Sequence, residues 1–304
     1  MVETKEPDPL FPAALAGAAP QTDDPVPGGA GATGRTGTQS IERVVGMLRV
    51  VASRGRRGMR IGDVASVSGL PMSTCFRMLQ RLELEGLVDR DPLTRKYHLG
   101  PLLYELGLLA QPRYRLSEIC DDALAEIAEQ TQDTVYLSER RGAESICTSR
   151  ALGDYPVKAL TLDVGIRRPM GIGAGGLAIL CALPVAEAED IIETNSARYR
   201  KFAAFDLGFL RAAVVEGREN GYAFLDSAAT PGTAAVGVAF PPGNPTAAVS
   251  VAAISSRMGA ARRVEVAKAI QQQVALICAL LEKRGQPAVL RNEGRGARRR
   301  TEPR

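Results

Sequence analysis

Apolar residues recur at helical spacing from residue 40 onward. In SIERVVGMLRVVAS, Ile41, Val44, Val45, Leu48 and Val51 fall on one stripe, with Ser40 placed as an N-cap and Arg54 to Gly58 breaking the pattern. MRIGDVASVSGL gives a short second helix around Ile61, Val64, Ala65 and Val67. It closes at Ser68 and Gly69, the latter suited to a left-handed C-terminal conformation. Pro71 fits the first turn of a third helix. In PMSTCFRMLQRLELEGL the inward set is Cys75, Met78, Leu79 and Leu82, which turns Ser73, Thr74, Phe76, Arg77, Gln80 and Arg81 outward. Gly86 stops that helix. LVDRDPLTRKYHL then alternates as two short strands, Leu87 to Arg90 and Lys96 to Leu99, about a turn at Asp91-Pro92. Three helices and a hairpin make a winged helix-turn-helix.

Further along, the period switches repeatedly between that of helices and that of strands. SEICDDALAEIAEQTQ is amphipathic, and TVYLSER and ESICTSR alternate as a hairpin. GGLAILCAL, AEAEDIIETN and DLGFLRAAVVEGREN are helical; YAFLDS, TAAVGVAFP and TAAVSVAAISS are strands; RRVEVAKAIQQQVALICALLEK is a closing helix. Helices beside mostly adjacent strands predict an α+β domain.

Composition supports two such folded units. The 304 residues are 45% hydrophobic, enough to supply a core for each. Residues 1–37, rich in Pro, Gly, Ala and Thr, and residues 285–304, with Arg298, Arg299 and Arg300, read as disordered tails. No stretch matches a membrane span or a signal peptide, which points to the cytoplasm and to no membrane partner. The five cysteines are scattered and read as core residues. A single histidine, His98, removes most Ser-His and Cys-His chemistry and His-rich metal sites, and reads as a wing residue packing locally. No catalytic or metal-binding residue is expected.

The net charge of +4 is unevenly spread. Residues 39–110 hold eleven basic and seven acidic side chains, and residues 283–304 hold eight and two, whereas the segments before and between them are net acidic. An anionic partner at the basic regions is one reading and a solvated charged face the other. The outward face of the third helix favours the first. Arg, Gln, Ser and Thr can donate to phosphates and to base edges in the major groove, and Arg95 and Lys96 place charge on the wing for the backbone.

The stretch RIGDVASVSGLPMSTCFRMLQRLELEGLVDRDPLTRKYHLGPLLYELG resembles the DNA-binding domain of the IclR family of bacterial transcriptional regulators. The likeness continues through VGIRRPMGIGAGGLAIL, RENGYAFLDS and AAVSVAAIS, covering about residues 39–284. It implies a winged helix at 38–100, a linker helix at 101–114, and at 115–284 a GAF-like effector-binding domain with an antiparallel sheet flanked by helices. It also implies a homodimer or dimer of dimers on double-stranded, near-palindromic operator DNA. Two departures stand in the third helix: Met72 and Phe76 occupy positions where family members often have basic and polar or His/Tyr residues. The histidine-type ligands of the metal found in some members have no counterpart.

GIGAGG at 171–176 matches the G-x-G-x-x-G string of dinucleotide folds. That fold requires a buried apolar strand before the glycines and an acidic strand end about twenty residues later. Here IRRPM precedes them, and Glu187, Glu189, Asp190 and Glu193 lie in a helical pattern, so no cofactor is expected. The loop still starts a helix, whose free amides attract anions, or else it is a tight turn needed for packing. The family resemblance places the effector here, with the amides of Gly173 and Ala174 receiving a carboxylate. It carries Leu225, Asp226, Ala235, Ser250 and Ala252 over as pocket positions. With Ser250 the one polar side chain kept on the late strands, the expected effector is a carboxylate with a larger apolar or aromatic part. A winged-helix protein-interaction module and a nucleotide-cofactor enzyme are the rival readings.

Overall fold

The computed structural model describes residues 39–110 and 116–283. The sequence-based expectations for the two tails fall outside them, as do those for residues 111–115. The chain separates into two units, with the division between Leu103 and Tyr104.

In the first unit α1 (Gln39–Ala52), α2 (Ile61–Ser68) and α3 (Met72–Leu84) precede a two-stranded antiparallel hairpin of β1 (Val88–Arg90) and β2 (Tyr97–Leu99). Met47, Val50, Val51, Val64, Cys75, Leu79, Leu82 and Tyr97 form its core. Two expectations are corrected in α1. The helix already includes Ser40, so that residue is not its cap, and the buried face centres on Met47 and Val50. Ile41, 62% exposed, and Val45 therefore flank that face instead of lying in it. Met78 is only half-buried at the edge of the same core. α2 ends as expected, with Gly69 left-handed at φ 66°, where a side chain would be strained. The wing turn is closed by Asp91, whose Oδ1 accepts from the Leu93 and Thr94 amides, each at 2.8 Å. These bonds hold its carboxyl below the usual carboxylate range. α4 (Pro101–Ala110) follows and has no buried residue.

The second unit is built on a six-stranded sheet in the order β5-β4-β3-β8-β7-β6, every pairing antiparallel. Its strands are β3 (Thr134–Arg141), β4 (Glu144–Leu152), β5 (Arg167–Pro169), β6 (Ala223–Asp226), β7 (Thr233–Phe240) and β8 (Ala247–Ile254). Alternation along the strands sends Val135, Leu137, Val236, Val249 and Val251 to one face. There they pack on Cys120, Leu124 and Ile127 of α5 (Leu116–Thr131) and on Ile270, Val274 and Ile277 of α10 (Ala260–Lys283). α10 is long and apolar enough to cross a membrane by length and composition alone, and here it packs one side against this core. The other face carries α6 (Ala174–Ala182), backed by α7 (Val185–Thr194), α8 (Ser196–Tyr199) and α9 (Leu207–Asn220) around Leu177, Leu180, Ile191, Tyr199 and Leu210.

The short strand β5 was not expected, because its residues are Arg167, Arg168 and Pro169. It is an edge strand, the place in a sheet where proline is tolerated. A strand does therefore precede the glycines, but it is short and antiparallel, unlike the central parallel strand of a dinucleotide fold.

Candidate functional site

The exposed face of the winged helix carries Ser73, Phe76, Arg77, Gln80 and Arg81, with Thr74 half-buried at its margin. Arg77 has no bonded partner among the described residues, whereas Arg81 is tied to Glu85 one turn on. Arg95 is exposed at the wing and takes a left-handed φ of 60°, while the neighbouring Lys96 is half-buried. His98 packs across Gly58: a Cβ on that glycine would stand 2.4 Å from the imidazole. The histidine is thus a packing residue of the wing.

In the second unit the turn after β5 leads through Gly171 and Gly173, at φ 96° and 91°, into α6. The first turn of α6 lies almost against the sheet. A Cβ on Gly175 would stand 2.7 Å from the Ser138 hydroxyl and 3.5 Å from that of Ser250, so only glycine permits this approach. Beside this contact opens a cleft of about 570 Å³ including its mouth, lined by residues of β3, β4, β5, α6, β6, β7 and β8.

Of the expected effector positions, Gly173, Ala174, Leu225, Ala235, Ser250 and Ala252 all line this cleft. Asp226 does not. It follows Leu225 on a strand, so the pleat turns it to the opposite side. There its Oδ1 accepts from the hydroxyls of Ser255 at 2.6 Å and Ser227 at 3.1 Å. The expectation of few side-chain donors is also corrected, since Tyr136, Ser138, Ser145, Thr161, Arg168 and Thr233 join the lining. Ser138, Ser145 and Ser250 are buried residues whose hydroxyls open onto the cleft, and none of these hydroxyls has a hydrogen-bond partner among the described residues. Between the pairs Leu137–Ser149 and Ser138–Cys147 the register shifts, leaving Thr148 as the extra residue of a bulge in β4, a device that re-aims side chains.

Arg168 is the one charged residue in the lining. Its side chain is 7% exposed in residue terms, and its Nη2 donates to the Thr161 carbonyl at 2.6 Å. No carboxylate pairs with it among the described residues. Burial lowers its pKa, but a guanidinium remains charged at neutral pH. Tyr136 holds the same loop: its hydroxyl donates to the Ala159 carbonyl at 2.7 Å and accepts from the Thr161 amide at 3.1 Å. No group of three or more His, Cys, Asp and Glu side chains able to hold a metal occurs among the described residues.

Arg168 had no periodic signal in the sequence, and only the strand at 167–169 reveals its side. Consecutive arginines on a strand must point to opposite faces; Arg167 pairs outside with Glu144 at 3.3 Å, which leaves Arg168 inside.

Two family models match the chain: the IclR helix-turn-helix domain over residues 40–92 and the bacterial transcriptional regulator IclR C-terminal domain over 111–279. The regulator XynR of Escherichia coli is 29% identical over 192 residues, covering 62% of this chain and 74% of its own. The repressor AllR of Klebsiella pneumoniae is 24% identical over 252 residues, 81% of this chain and 91% of its own. Among solved structures, an IclR regulator from Alicyclobacillus acidocaldarius aligns with a TM-score of 0.64 at 26% identity, covering 79% of this chain and 97% of that one. An IclR homologue from Microbacterium hydrocarbonoxydans, solved with 4-hydroxybenzoate, shares the fold with a TM-score of 0.63 at 20% identity, covering 80% and 99%. These relatives are regulators and not enzymes, and the chain belongs with them to the IclR family of DNA-binding transcriptional regulators.

Proposed function

We propose that this regulator's operator binding is modulated by a small carboxylate effector held in the cleft at the start of α6. The observation that carries the reading is the set of hydroxyls on Ser138, Ser145 and Ser250 that face one opening without hydrogen-bond partners among the described residues. Each hydroxyl can both donate and accept, so a ligand oxygen in the opening can bond to them. The amides of Gly173 and Ala174 are placed to receive the carboxylate. Leu162, Ile172, Leu225, Ala235 and Ala252 suit an apolar or aromatic body, and a related fold takes 4-hydroxybenzoate.

On the DNA side, Ser73, Thr74, Phe76, Arg77, Gln80 and Arg81 read the groove, while Arg95 and Lys96 hold the backbone. The protein acts in the cytoplasm as a homodimer, or a dimer of dimers, on a near-palindromic operator. Exposed apolar side chains on α1, Ile41 and Val45, and on α4, Tyr104, Leu106, Leu108 and Leu109, support self-association through these helices. The effector shifts the population between arrangements with different half-site spacing.

Footprinting on the DNA upstream of the protein's own gene, with and without a panel of carboxylates, tests the proposal. A protected near-palindrome whose occupancy responds to one of them is expected. Protection that no carboxylate alters would remove the effector half of the reading.

A further inference from the structure

We propose that Arg168 is the charge anchor of the cleft, and that its ligand is a monoanionic acid carrying a second, neutral oxygen that the Ser138 and Ser250 hydroxyls take. The inference rests on the reading that the cleft holds the effector, and it goes further by naming the charge, the anchor and the second polar contact.

A buried guanidinium bonded only to one carbonyl, with no acid beside it among the described residues, is an unfavourable arrangement that an arriving anion relieves. Its position makes this specific. Arg168 sits in register with Ser145 across the β4–β5 pair, and its chain runs directly into the turn that begins α6. A Cβ on Gly173 would stand 3.8 Å from Arg168 Nη1. The guanidinium and the free amides at the helix start thus converge on the same space, with glycine leaving it open. Two independent sources of positive potential at one point select an anion.

The second oxygen follows from the serines. The hydroxyls of Ser138 and Ser250 flank the first turn of α6 within reach of the Gly175 position, open onto the cleft, and have no hydrogen-bond partner among the described residues. A hydroxyl or keto oxygen on the ligand supplies one. Because no second cation lines the cleft among the described residues, a dicarboxylate would bury one charge unpaired and is disfavoured.

The test uses the full-length protein and a panel of hydroxy and keto monocarboxylates, 4-hydroxybenzoate and 4-methyl-2-oxopentanoate among them. Each is measured by calorimetry beside its amide and a matching dicarboxylate. At least one monoacid is expected to bind, with its amide and dicarboxylate about a hundredfold weaker, as for loss of one partner of a buried charged pair. Arg168→Gln should weaken the acid by a similar factor, Arg168→Lys by less, and Ser138→Ala with Ser250→Ala should erase the preference over the deoxy acid. Without ligand, Arg168→Met should keep or raise the thermal midpoint, since it removes an unpaired buried charge. A midpoint several degrees lower would make Arg168 a strut holding Thr161. Equal binding of acid and amide, or undiminished binding by Arg168→Gln, would overturn the anchor and leave the effector reading standing. If no member of the panel binds at all, the effector reading itself fails.

Discussion

One phenol fastens a whole loop beside the cleft: the Tyr136 hydroxyl accepts the Thr161 amide at 3.1 Å while donating to the Ala159 carbonyl at 2.7 Å. Thr161 is held a second time, through its carbonyl, by Arg168. The segment between β4 and β5 is thus coupled to both the sheet and the candidate anion site. Tyr136→Phe keeps the ring in its pocket but removes both bonds, and is expected to cost about 1–3 kcal/mol, the usual penalty for orphaned buried groups. Urea denaturation reads the cost. Faster tryptic cleavage at Lys158, without faster cleavage elsewhere, would locate the loosening in this loop. An unchanged denaturation midpoint would show that the two bonds contribute nothing net.

Arg77 and Arg81 are neighbours on the exposed face of α3 but differ in their freedom. Arg81 is engaged with Glu85, while Arg77 has no partner among the described residues to give up. Arg77→Ala is therefore expected to weaken operator binding by about 1–3 kcal/mol, the value of a side chain contacting a base edge. Arg81→Ala should cost less, since its contact with DNA competes with an ion pair. Fluorescence anisotropy against operator and random duplexes at matched salt separates the two. If Arg77→Ala leaves discrimination between them intact, Arg77 contacts phosphate only.

The winged helix was largely legible because short-range signals set its elements: Gly69 ends α2, Pro71 precedes α3 as its N-cap residue, one position before the first turn where it was expected, and the apolar spacing of α3 marks its outward face. Where legibility failed, packing geometry had no local trace. Ile41 and Val45 fit a helical stripe as well as Met47 does, and only the placement of α2 and the hairpin decides which face is covered. The cleft is assembled from seven elements spread over more than a hundred residues of sequence, so late-strand positions carried over by resemblance found one wall and missed Tyr136, Ser138, Ser145 and Arg168 on the other. The same limit hides the buried Asp133, which accepts from Arg257 Nε at 3.1 Å and Nη2 at 3.2 Å across 124 positions of chain. Neither residue announces the other.

Close approach of α6 to the sheet makes a second test of the cleft. Gly175→Ala places a methyl 2.7 Å from Ser138 Oγ and 3.0 Å from its Cβ, so helix or strand must shift. Overpacking of this kind costs about 1–3 kcal/mol, and the shift narrows the opening. Thermal unfolding should show the loss, and any carboxylate that stabilises the parent protein should stabilise this variant less. Adding Ser138→Gly should recover part of the stability by making room for the methyl. Failure of that double variant to recover any would mean that the clash lies elsewhere.

Stability should fall on the alkaline side, for a reason that lies in the core. Burial pushes the Cys120 and Cys181 thiols up to about 12 and that of Cys147 to about 11 from an ordinary value near 9. It also raises the Tyr199 phenol to about 12 and moves Tyr136 upward from an ordinary value near 10. Between the unfolded and folded values the native state keeps protons that the unfolded chain releases. The difference in bound protons, unfolded minus native, is then negative, so unfolding free energy decreases as pH rises. Each group contributes a slope of about 1.4 kcal/mol per pH unit across its own window. The stabilisation is complete below about pH 9 and is lost progressively through pH 11 to 12. Urea midpoints measured from pH 7.5 to 10.5 should therefore be level at first and decline from near pH 9. A Cys181→Ala variant, with one fewer thiol whose pKa the fold raises, should decline less steeply. Midpoints that rise through this range, or an unchanged slope in that variant, would show that these thiols are not held protonated by the fold.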